Sequence, residues 1–260
     1  MKNKSLSVIV VSYNSEQFIE KCIASVLKYL PDNSELIVLD NNSVDKTVDI
    51  SKKFLPKIKL ISIDKNLGFA KGNNKAANEA LGDYLFFLNP DTWISKPIME
   101  ELIEFYEAED AGIVAPKLIM PNGHTQSSVK NLPTVWGAFK EFILGVQNSY
   151  GEFVPKTEKP IAVQVVYGAA LLISKKLFDQ IGGFDEKYFL YYEDVDLCRK
   201  VLNKDKKIYY YPAAAVNHIV GGTKSSQDKY RLNFKSAILY HGYFKFLILQ
   251  IIFRLRTLLK

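Results

Sequence analysis

The stretch that decides the fold is Asp83–Trp93, DYLFFLNPDTW. Its apolar run, Tyr84–Leu88, is unbroken, which is typical of a strand buried on both faces of a mostly parallel sheet. Such sheets bind ligands beyond the carboxyl ends of their strands. Pro90 cannot continue the ladder, so Asp91 is predicted to lie at that edge. There it either binds a metal or only forms a turn with Thr92.

Strand and helix patterns alternate upstream of this stretch. The predicted strands are 6–11, 36–39 and 58–63, and the predicted helices between them are 18–30 and 45–54. Asn14 or Ser15 is expected to cap the first helix, with Gln17 completing a capping box with Asn14. This βαβαβ order predicts the mononucleotide-binding half of a doubly wound α/β fold.

The segment Lys65–Asn74, KNLGFAKGNN, is predicted to be a loop that leads into a helix of small residues. Gly68 and Gly72 leave backbone N–H groups approachable, as a phosphate site requires. A tight loop that packs on its neighbours explains the same residues equally well.

The pattern is less regular downstream. Ser95 and Pro97 are expected to open a helix, the first as its cap. Further strands are predicted at 112–115, 162–173 and 207–211, and a short helix at 174–181. Residues 116–160 lose the pattern, apart from a hairpin tip at 121–123, and we expect this variable segment to contact an acceptor.

Three acids, Glu193, Asp194 and Asp196, crowd the first turn of a predicted helix, directly after four aromatic residues. They either complement the helix dipole or include a base whose pKa is tuned by the neighbouring rings. His218 is expected in a glycine-rich loop, NHIVGGT, as a structural residue or as a metal ligand.

Length and composition limit the remaining possibilities. At 260 residues with 48% apolar residues, the chain can form one large α/β domain or two small ones. Cys22 and Cys198 fall on apolar helix faces, which favours buried thiols in a reducing compartment over a disulfide. No apolar run reaches the roughly 18 residues of a membrane span. The N-terminus is interpreted as a first strand rather than a signal peptide, because no cleavage site follows its apolar run.

The net charge of +6 is concentrated in the tail. Residues 224–260 contain eight Lys or Arg against one Asp, a net charge of +7, which leaves −1 for the rest of the chain. A basic main domain would have indicated nucleic acid, so this distribution excludes that partner. A tail both basic and apolar favours an anionic membrane surface. Because 246–252 is apolar almost all round, packing against a second copy in a homodimer stays open.

Together the motifs resemble family 2 of the glycosyltransferases, the inverting GT-A enzymes, and most closely a rhamnosyltransferase-like branch. The resemblance covers about residues 5–223. It rests on SVIVVSYN at 7–14, VLDNNS at 38–43, NLGFAKGNN at 66–74, LNPD at 88–91, GAALLI at 168–173, GGFDE at 182–186 and YEDVDLC at 192–198.

The resemblance implies an α/β chain with a GT-A fold: a Rossmann-like, mostly parallel sheet with flanking helices in residues 1–223. A basic helical tail would follow in residues 224–260. It also implies roles for individual residues. Asp194 would be the catalytic base, with Glu193 beside it, and Asp91 and His218 would bind Mg²⁺ or Mn²⁺. The implied donor-binding residues are Tyr13, Asn14, Asp40, Asn66, Gly68, Lys71 and Asn89. Asn89 stands where the family's DxD motif has its first Asp, which makes Asp91 the principal ligand.

The implied activity is transfer of one sugar, L-rhamnose from dTDP-rhamnose, to a lipid-linked or cell-surface polysaccharide acceptor. The expected location is cytoplasmic, peripheral on the cytoplasmic face of the plasma membrane. The alternatives are transfer from a UDP-hexose, N-acetylhexosamine or galactofuranose donor, and a non-catalytic nucleotide-sugar-binding protein. The presence of both Asp91 and Asp194 favours an enzyme.

Overall fold

The structure is a computed structural model that describes residues 4–219 and 226–258. Its strands are β1 (Leu6–Ser12), β2 (Glu35–Asp40), β3 (Lys59–Ser62), β4 (Tyr84–Leu88), β5 (Thr92–Ile94), β6 (Ile113–Ile119), β7 (Val129–Lys130), β8 (Ile161–Val163), β9 (Val165–Val166), β10 (Ala170–Ser174) and β11 (Ile208–His218). Its helices are α1 (Ile19–Tyr29), α2 (Thr47–Lys52), α3 (Gly68–Asn78), α4 (Met99–Ala108), α5 (Val135–Phe142), α6 (Lys175–Gln180), α7 (Glu193–Leu202), α8 (Ser226–His241) and α9 (Tyr243–Leu258).

One large sheet has the strand order β3-β2-β1-β4-β10-β6-β11-β5, with β8 also paired to β11. The first four strands are parallel, as the alternating pattern predicts. β10 runs antiparallel between β4 and β6, and β5 runs antiparallel to the end of β11. The predicted α/β class and mostly parallel sheet are confirmed.

Both faces of the central strands are buried, which explains their unbroken apolar runs. On β1, Val8 and Val10 pack into the core on the α1 and α4 side, while Ile9 packs on the α3 and α7 side. Phe86 and Phe87 on β4 divide between the two faces in the same way. Because β1 pairs parallel to both β2 and β4, the carboxyl ends of these three strands lie together at one edge of the sheet.

The predicted cap of α1 is wrong. A turn at 16–18 precedes the helix, and its N-cap residue, Phe18, makes no side-chain capping bond. Asn14 instead adopts a positive φ of 49° and accepts a hydrogen bond from the Val44 N–H. The Ser15 backbone N–H donates to Thr47 Oγ1, which also lies outside the helix. These two hydrogen bonds therefore join two loops rather than start a helix.

The predicted loop at 65–74 is also wrong, because α3 begins at Gly68. Glycine and asparagine lower helix propensity, but tertiary hydrogen bonds override it here. Asn41 accepts from the Leu67 N–H and donates to the Gly68 carbonyl, and Asn73 donates to the Phe69 carbonyl.

Three further boundaries differ from the prediction. Ser95 does not cap α4, which begins at Met99; its hydroxyl accepts from Asn217 instead. The predicted strand 162–173 is divided into β8, β9 and β10. β11 continues past the predicted end at 211, so His218 is the last residue of a strand and not part of a loop. The remainder of the predicted glycine-rich loop, and the predicted boundary between 223 and 224, lie among residues 220–225, outside the described residues.

The tail forms α8 and α9, and α9 is not solely a surface helix. Phe246, Leu249 and Ile252 are buried, and the last two join Ala138 of α5 in a small separate core. None of the helices in the described part of the chain has the length and hydropathy that crossing a bilayer demands.

Candidate active site

Two adjoining pockets open at the edge where β1, β2 and β4 end. The β1–β2 pocket, of about 140 Å³, is lined by Val11, Tyr13, Ser15, Asn41, Asn66, Gly68, Phe69, Asn89, Pro90, Asp91, Phe189 and Leu190. The α7 pocket, of about 430 Å³, is bounded by the start of α7 and the end of β11 and contains Glu193, Asp194 and His218. Phe69, Asn89, Asp91 and Leu190 line both, so the two pockets form one cleft.

Gly68 is required where the β1–β2 pocket meets the segment before α7. It has a φ of +81°, and a Cβ atom there would lie 2.3 Å from the Phe189 carbonyl oxygen. The next residue, Phe69, donates its N–H to that same carbonyl at 2.7 Å. Asn66 supports the turn by accepting from the Gly68 N–H at 2.9 Å. Only glycine combines this backbone conformation with such a close approach.

Asp40 is 2% exposed and lies just behind this lining. Its Oδ2 accepts from the Ser43 N–H at 3.0 Å, and its Oδ1 is buried and has no hydrogen-bond partner within the part of the chain that the structure describes. A buried carboxylate oxygen without a donor is costly unless a ligand supplies one. Asn14 and Lys71 lie outside the pocket lining: Asn14 joins two loops, and Lys71 pairs with Glu186 at 3.0 Å beside a separate groove.

Asp91 and His218 form the best candidate for a metal centre. Their side chains are nearly buried, and His218 Nε2 lies 3.4 Å from Asp91 Oδ1. His218 Nδ1 lies 2.7 Å from Gln126 Oε1, which can only accept, so the Nδ1–H donates to it and Nε2 faces Asp91. A proton or a metal cation can bridge Nε2 and the carboxylate oxygen. The Asp91–His218 pair therefore fits a divalent ion with oxygen and imidazole ligands.

The strand pairing explains why these two residues meet. β5 begins directly after Asp91, and its Thr92 is in register with His218 on the antiparallel β11. Asn89 Oδ1 is buried nearby and has no hydrogen-bond partner among the described residues. In residues 4–219 and 226–258, no third His, Cys, Asp or Glu completes a metal cluster.

Cys22 lies against the turn at 89–91 and is buried. Its Sγ is 3.7 Å from the Asn89 carbonyl oxygen. Burial raises the pKa of its thiol to about 12, so it stays protonated. Cys198 is buried and free as well, which confirms the prediction of two unpaired thiols.

Glu193 and Asp194 differ although they are neighbours. Glu193 is 6% exposed, and burial raises its pKa well above the usual range, with the negative charge of Asp194 raising it further. Its Oε2 has no partner among the described residues. Asp194 is half-buried and lines the cleft; it accepts from the Val195 N–H at 2.8 Å and the Gly168 N–H at 3.3 Å. Burial therefore favours the protonated form of Glu193, while Asp194 is held in a fixed orientation towards the cleft.

Tyr191 and Tyr192, immediately before this pair, both have positive φ values, of 70° and 68°. Consecutive left-handed residues other than glycine are strained, typically by about 1–3 kcal/mol each, and such strain concentrates at functional sites. The strained turn sets the direction from which Asp194 enters the cleft.

Sequence reasoning missed several residues of the α7 pocket. Gln126, Lys130 and Glu152 come from the segment predicted only as variable loop, and Tyr167 and Gly168 from a segment predicted as one strand. No motif marks Gln126, Lys130, Glu152 or Tyr167, because they reach the cleft through tertiary contacts, whereas Gly168 opens the GAALLI motif but was given no role in the site. Lys130, for example, is placed by the pairing of β7 with β9.

A family model matches the sequence that forms most of the β1–β2 pocket. The model for glycosyl transferase family 2 matches residues 7–182. The chain belongs to glycosyl transferase family 2. The match covers the strands that form the β1–β2 pocket and ends before α7, so Glu193, Asp194 and His218 lie outside it. The family resemblance predicted from the motifs is confirmed.

Characterised relatives of this glycosyltransferase include rhamnosyltransferases. It is 26% identical over 233 residues to an N-acetylglucosaminyl-diphospho-decaprenol L-rhamnosyltransferase of Mycobacterium tuberculosis, covering 82% of this chain and 75% of the relative. It is also 26% identical over 247 residues to the rhamnosyltransferase WbbL of Escherichia coli, covering 90% of this chain and 91% of that one. The dTDP-rhamnosyl transferase RfbF of Shigella flexneri is 24% identical over 228 residues, covering 84% of this chain and 70% of RfbF.

Solved structures share the fold at lower identity. GalNAc-T7 with UDP, GalNAc and Mn²⁺ superposes with a TM-score of 0.66 at 16% identity, covering 84% of this chain and 44% of that one. Staphylococcus aureus TarS residues 1–349 in complex with UDP superposes with a TM-score of 0.61 at 22% identity, covering 90% and 64%. The chain thus spans less than half of the first and under two thirds of the second. The GT-A-like fold predicted from the sequence is confirmed.

Proposed function

We propose that this glycosyltransferase moves a single L-rhamnose, with inversion, from dTDP-rhamnose to a lipid-linked or cell-surface polysaccharide acceptor. The observation that carries the proposal is that the Asp91–His218 pair and Asp194 line one continuous cleft. The three rhamnosyltransferase relatives support the choice of donor. A UDP-hexose, N-acetylhexosamine or galactofuranose donor would use the same residues, and the UDP complexes of the fold relatives favour that second candidate.

The donor would occupy the β1–β2 pocket. Tyr13, which lines this pocket, would contact the base, and Asn66, Gly68 and Asn89 line the remainder. The unpartnered Oδ1 of Asp40 supports recognition of a pyrimidine N–H, provided that Asn41 or the base shifts to let the two meet. Asn14 and Lys71 would act indirectly, by holding the loops around the pocket.

Asp91 and His218 would hold a divalent ion, Mg²⁺ or Mn²⁺. When bound, such an ion neutralises charge on the leaving diphosphate. Gln126 keeps His218 in the tautomer that presents Nε2 to Asp91. The mixed oxygen and nitrogen donor set favours Mn²⁺ over Mg²⁺.

Asp194 would remove the proton from the attacking acceptor hydroxyl. The hydroxyl oxygen forms a bond to the anomeric carbon as the carbon–diphosphate oxygen bond breaks, and the proton passes to Asp194 Oδ2 or Oδ1. Burial favours the protonated form of Glu193, which supports Asp194 over Glu193 as the base. A single displacement of this kind inverts the anomeric configuration and needs no protein nucleophile.

Turnover of a donor panel tests the proposal. Purified full-length protein with Mn²⁺ is incubated with dTDP-rhamnose, UDP-glucose, UDP-N-acetylglucosamine, UDP-galactofuranose and GDP-mannose, and nucleoside diphosphate release is measured with and without a glycolipid extract. The proposal predicts acceptor-stimulated release from dTDP-rhamnose above all others. Release from a UDP-sugar alone would select the second candidate, and metal-dependent binding without turnover would indicate a binding protein.

We also propose that residues 1–223 form the transferase domain and that the tail, residues 224–260, binds an anionic membrane surface. That surface would be the cytoplasmic face of the plasma membrane. While one face of α9 packs on α5, the opposite face exposes a continuous apolar stripe: Phe244, Leu247, Ile251, Leu255 and Leu258. The exposed Lys245 and Arg254 flank it, and each basic residue near an anionic surface contributes about 1 kcal/mol. A homodimer through the same stripe is the alternative.

Flotation with anionic liposomes distinguishes these alternatives. We expect the full-length protein to float and a variant with Phe244, Leu247 and Ile251 all changed to Ser to stay at the bottom of the gradient. The control variant, Leu81→Ser, changes an equally exposed apolar residue elsewhere and should still float. If the full-length protein does not float and instead forms a dimer that the triple variant dissociates, the stripe is a homodimer interface and not a membrane-binding surface.

A further inference from the structure

A third cavity adjoins the α7 pocket and is not used by the donor. This groove, of about 600 Å³, lies between α8, α9 and the residues around Tyr150. Tyr191, Tyr192, Lys229 and Asn233 line both the groove and the α7 pocket. A ligand whose reacting hydroxyl sits beside Asp194 can therefore extend over Tyr192 into the groove.

The groove walls are aromatic and apolar with few polar groups. Phe234, Phe246 and Phe253 form much of the surface, with Leu249 at the base. His241 also lines it, and its Nε2 is buried without a hydrogen-bond partner in the described part of the chain. Burial lowers the pKa of His241 to about 4, with the charges of Lys245 and Lys130 adding to the effect, so the ring is neutral. Such a lining suits an apolar chain more than a sugar or an ion.

Lys130 lies at the junction of groove and pocket. Its Nζ is 5.7 Å from the ring centre of Tyr167 and 5.8 Å from that of Tyr192. It forms no ion pair within residues 4–219 and 226–258, although it lines the pocket that contains Asp194. A half-buried ammonium with aromatic neighbours, and with no carboxylate of the described residues within ion-pair distance, is stabilised when a ligand supplies an anion.

We propose that this junction is the acceptor's phosphate subsite: Lys130 contacts a phosphate or diphosphate next to the attacking sugar, and the groove receives the apolar chain beyond it. The inference rests on the proposed function, because Asp194 defines where the attacking sugar lies. The groove ends among α8 and α9, and the same α9 carries the exposed apolar stripe. The sugar of a membrane-anchored acceptor could therefore reach Asp194 while part of its apolar chain stays in the bilayer.

Lys130 can also act on the neighbouring acids, and the experiment must distinguish this effect from phosphate binding. It favours the charged form of Glu193, against the larger effects of burial and of Asp194. A lysine that acts only on these acids would alter the pH dependence of turnover but not the binding of a phosphate-bearing chain. The test therefore measures binding directly, with no acid–base step involved.

The experiment titrates full-length protein with farnesyl diphosphate, farnesol and inorganic pyrophosphate by calorimetry, with EDTA present to prevent metal-mediated binding at Asp91. We expect wild type to bind farnesyl diphosphate more tightly than either of the other two probes. Lys130→Gln should weaken farnesyl diphosphate at least about tenfold, the loss typical of one hydrogen bond to a charged group, and leave farnesol unchanged. The matched control, Lys176→Gln, changes an exposed lysine at the opposite edge of the sheet and should bind as wild type.

Asn233→Trp tests the groove separately, because this exposed residue lines both cavities and its replacement does not disturb the core. Asn233→Trp should weaken the binding of farnesyl diphosphate and of farnesol, and leave the binding of pyrophosphate unchanged. Equal losses for Lys130→Gln and Lys176→Gln, or unchanged binding in Lys130→Gln, would overturn the phosphate subsite. If the wild type binds farnesyl diphosphate no more tightly than pyrophosphate, the proposal that the groove receives an apolar chain is overturned. Failure of the proposed function would appear elsewhere, as loss of nucleotide-sugar turnover with Mn²⁺.

Discussion

The two sides of the cleft are built differently. The β1–β2 pocket comes mainly from consecutive strand–helix units, and most of its residues lie at or after the ends of β1, β2, β3 and β4. Phe189 and Leu190, from the segment before α7, complete it. The α7 pocket is assembled from segments far apart in the chain, among them Gln126, Lys130 and Asp194. Both sides meet at Asp91 and Phe69. A reaction common to a family can use the first kind of surface unchanged, while the second kind can vary with the acceptor.

This contrast predicts that variants on the two sides separate donor use from acceptor use. Changes in the β1–β2 pocket should alter donor binding whichever acceptor is offered. Changes in the α7 pocket should alter the proton transfer or the choice of acceptor.

The largest expected effect is at the base. Asp194→Asn should lower turnover by about 10²–10⁴ while donor binding stays near wild type, because the amide keeps the shape and loses the basicity. The measurement is the steady-state rate of nucleoside diphosphate release, alongside donor binding by calorimetry. Glu193→Gln is the matched control and should retain most activity. An inactive Glu193→Gln with an active Asp194→Asn would exchange the two roles.

A smaller effect is expected from Gly68→Ala. The added Cβ would have to displace the Phe189 carbonyl, which breaks the Phe69–Phe189 hydrogen bond that joins the two sides of the cleft. We expect donor kcat/KM to fall by about 10–100-fold, since displacement by 1 Å is enough to misplace reacting groups. Gly123→Ala is the control: its φ is +83°, and its Cβ would meet nothing within 4 Å. Equal behaviour of both variants would show that the close approach at Gly68 has no role.

The smallest effect is one of stability and concerns Glu193. The folded-state pKa of Glu193 is raised, so its contribution to stability is present below the unfolded-state pKa of about 4.3 and is lost as pH rises through the folded-state pKa. Glu193→Gln should therefore gain stability relative to wild type as pH rises from 5 to 8. A gain of at least about 2 °C in Tm at pH 8 is expected, as for roughly 1 kcal/mol in a chain of this size. The exposed Glu100→Gln should show no such trend, and a similar trend there would contradict the effect of burial.

How far the sequence predicts this structure follows the same division. Apolar runs such as Tyr84–Leu88 predicted the central strands, because burial on both faces leaves no polar positions. The ends of these strands in turn predicted Asp91 and Asn89 at the cleft edge. The start of α3 was mispredicted, since Asn41 stabilises it from another loop. Gln126 could not be predicted at all, because its contact with His218 joins residues 92 positions apart.

His218 shows most clearly what could not be predicted from the sequence. The sequence places His218 near glycines and suggests a loop, whereas the structure places it at the end of β11, paired with β5. β5 has only three residues and was not predicted. Its pairing brings His218 beside Asp91, so a short strand without a sequence signature determines the candidate metal centre.

Metal-dependent binding of a nucleoside diphosphate tests the proposed site most directly. Wild type, His218→Ala and Asp91→Ala are titrated with dTDP and with UDP by calorimetry, with Mn²⁺ and with EDTA. We predict that Mn²⁺ strengthens nucleotide binding to wild type, strengthens it less in His218→Ala, and has no effect in Asp91→Ala. An Asp91→Ala variant that retains the wild-type metal dependence would contradict the assignment of Asp91 and His218 as the metal site.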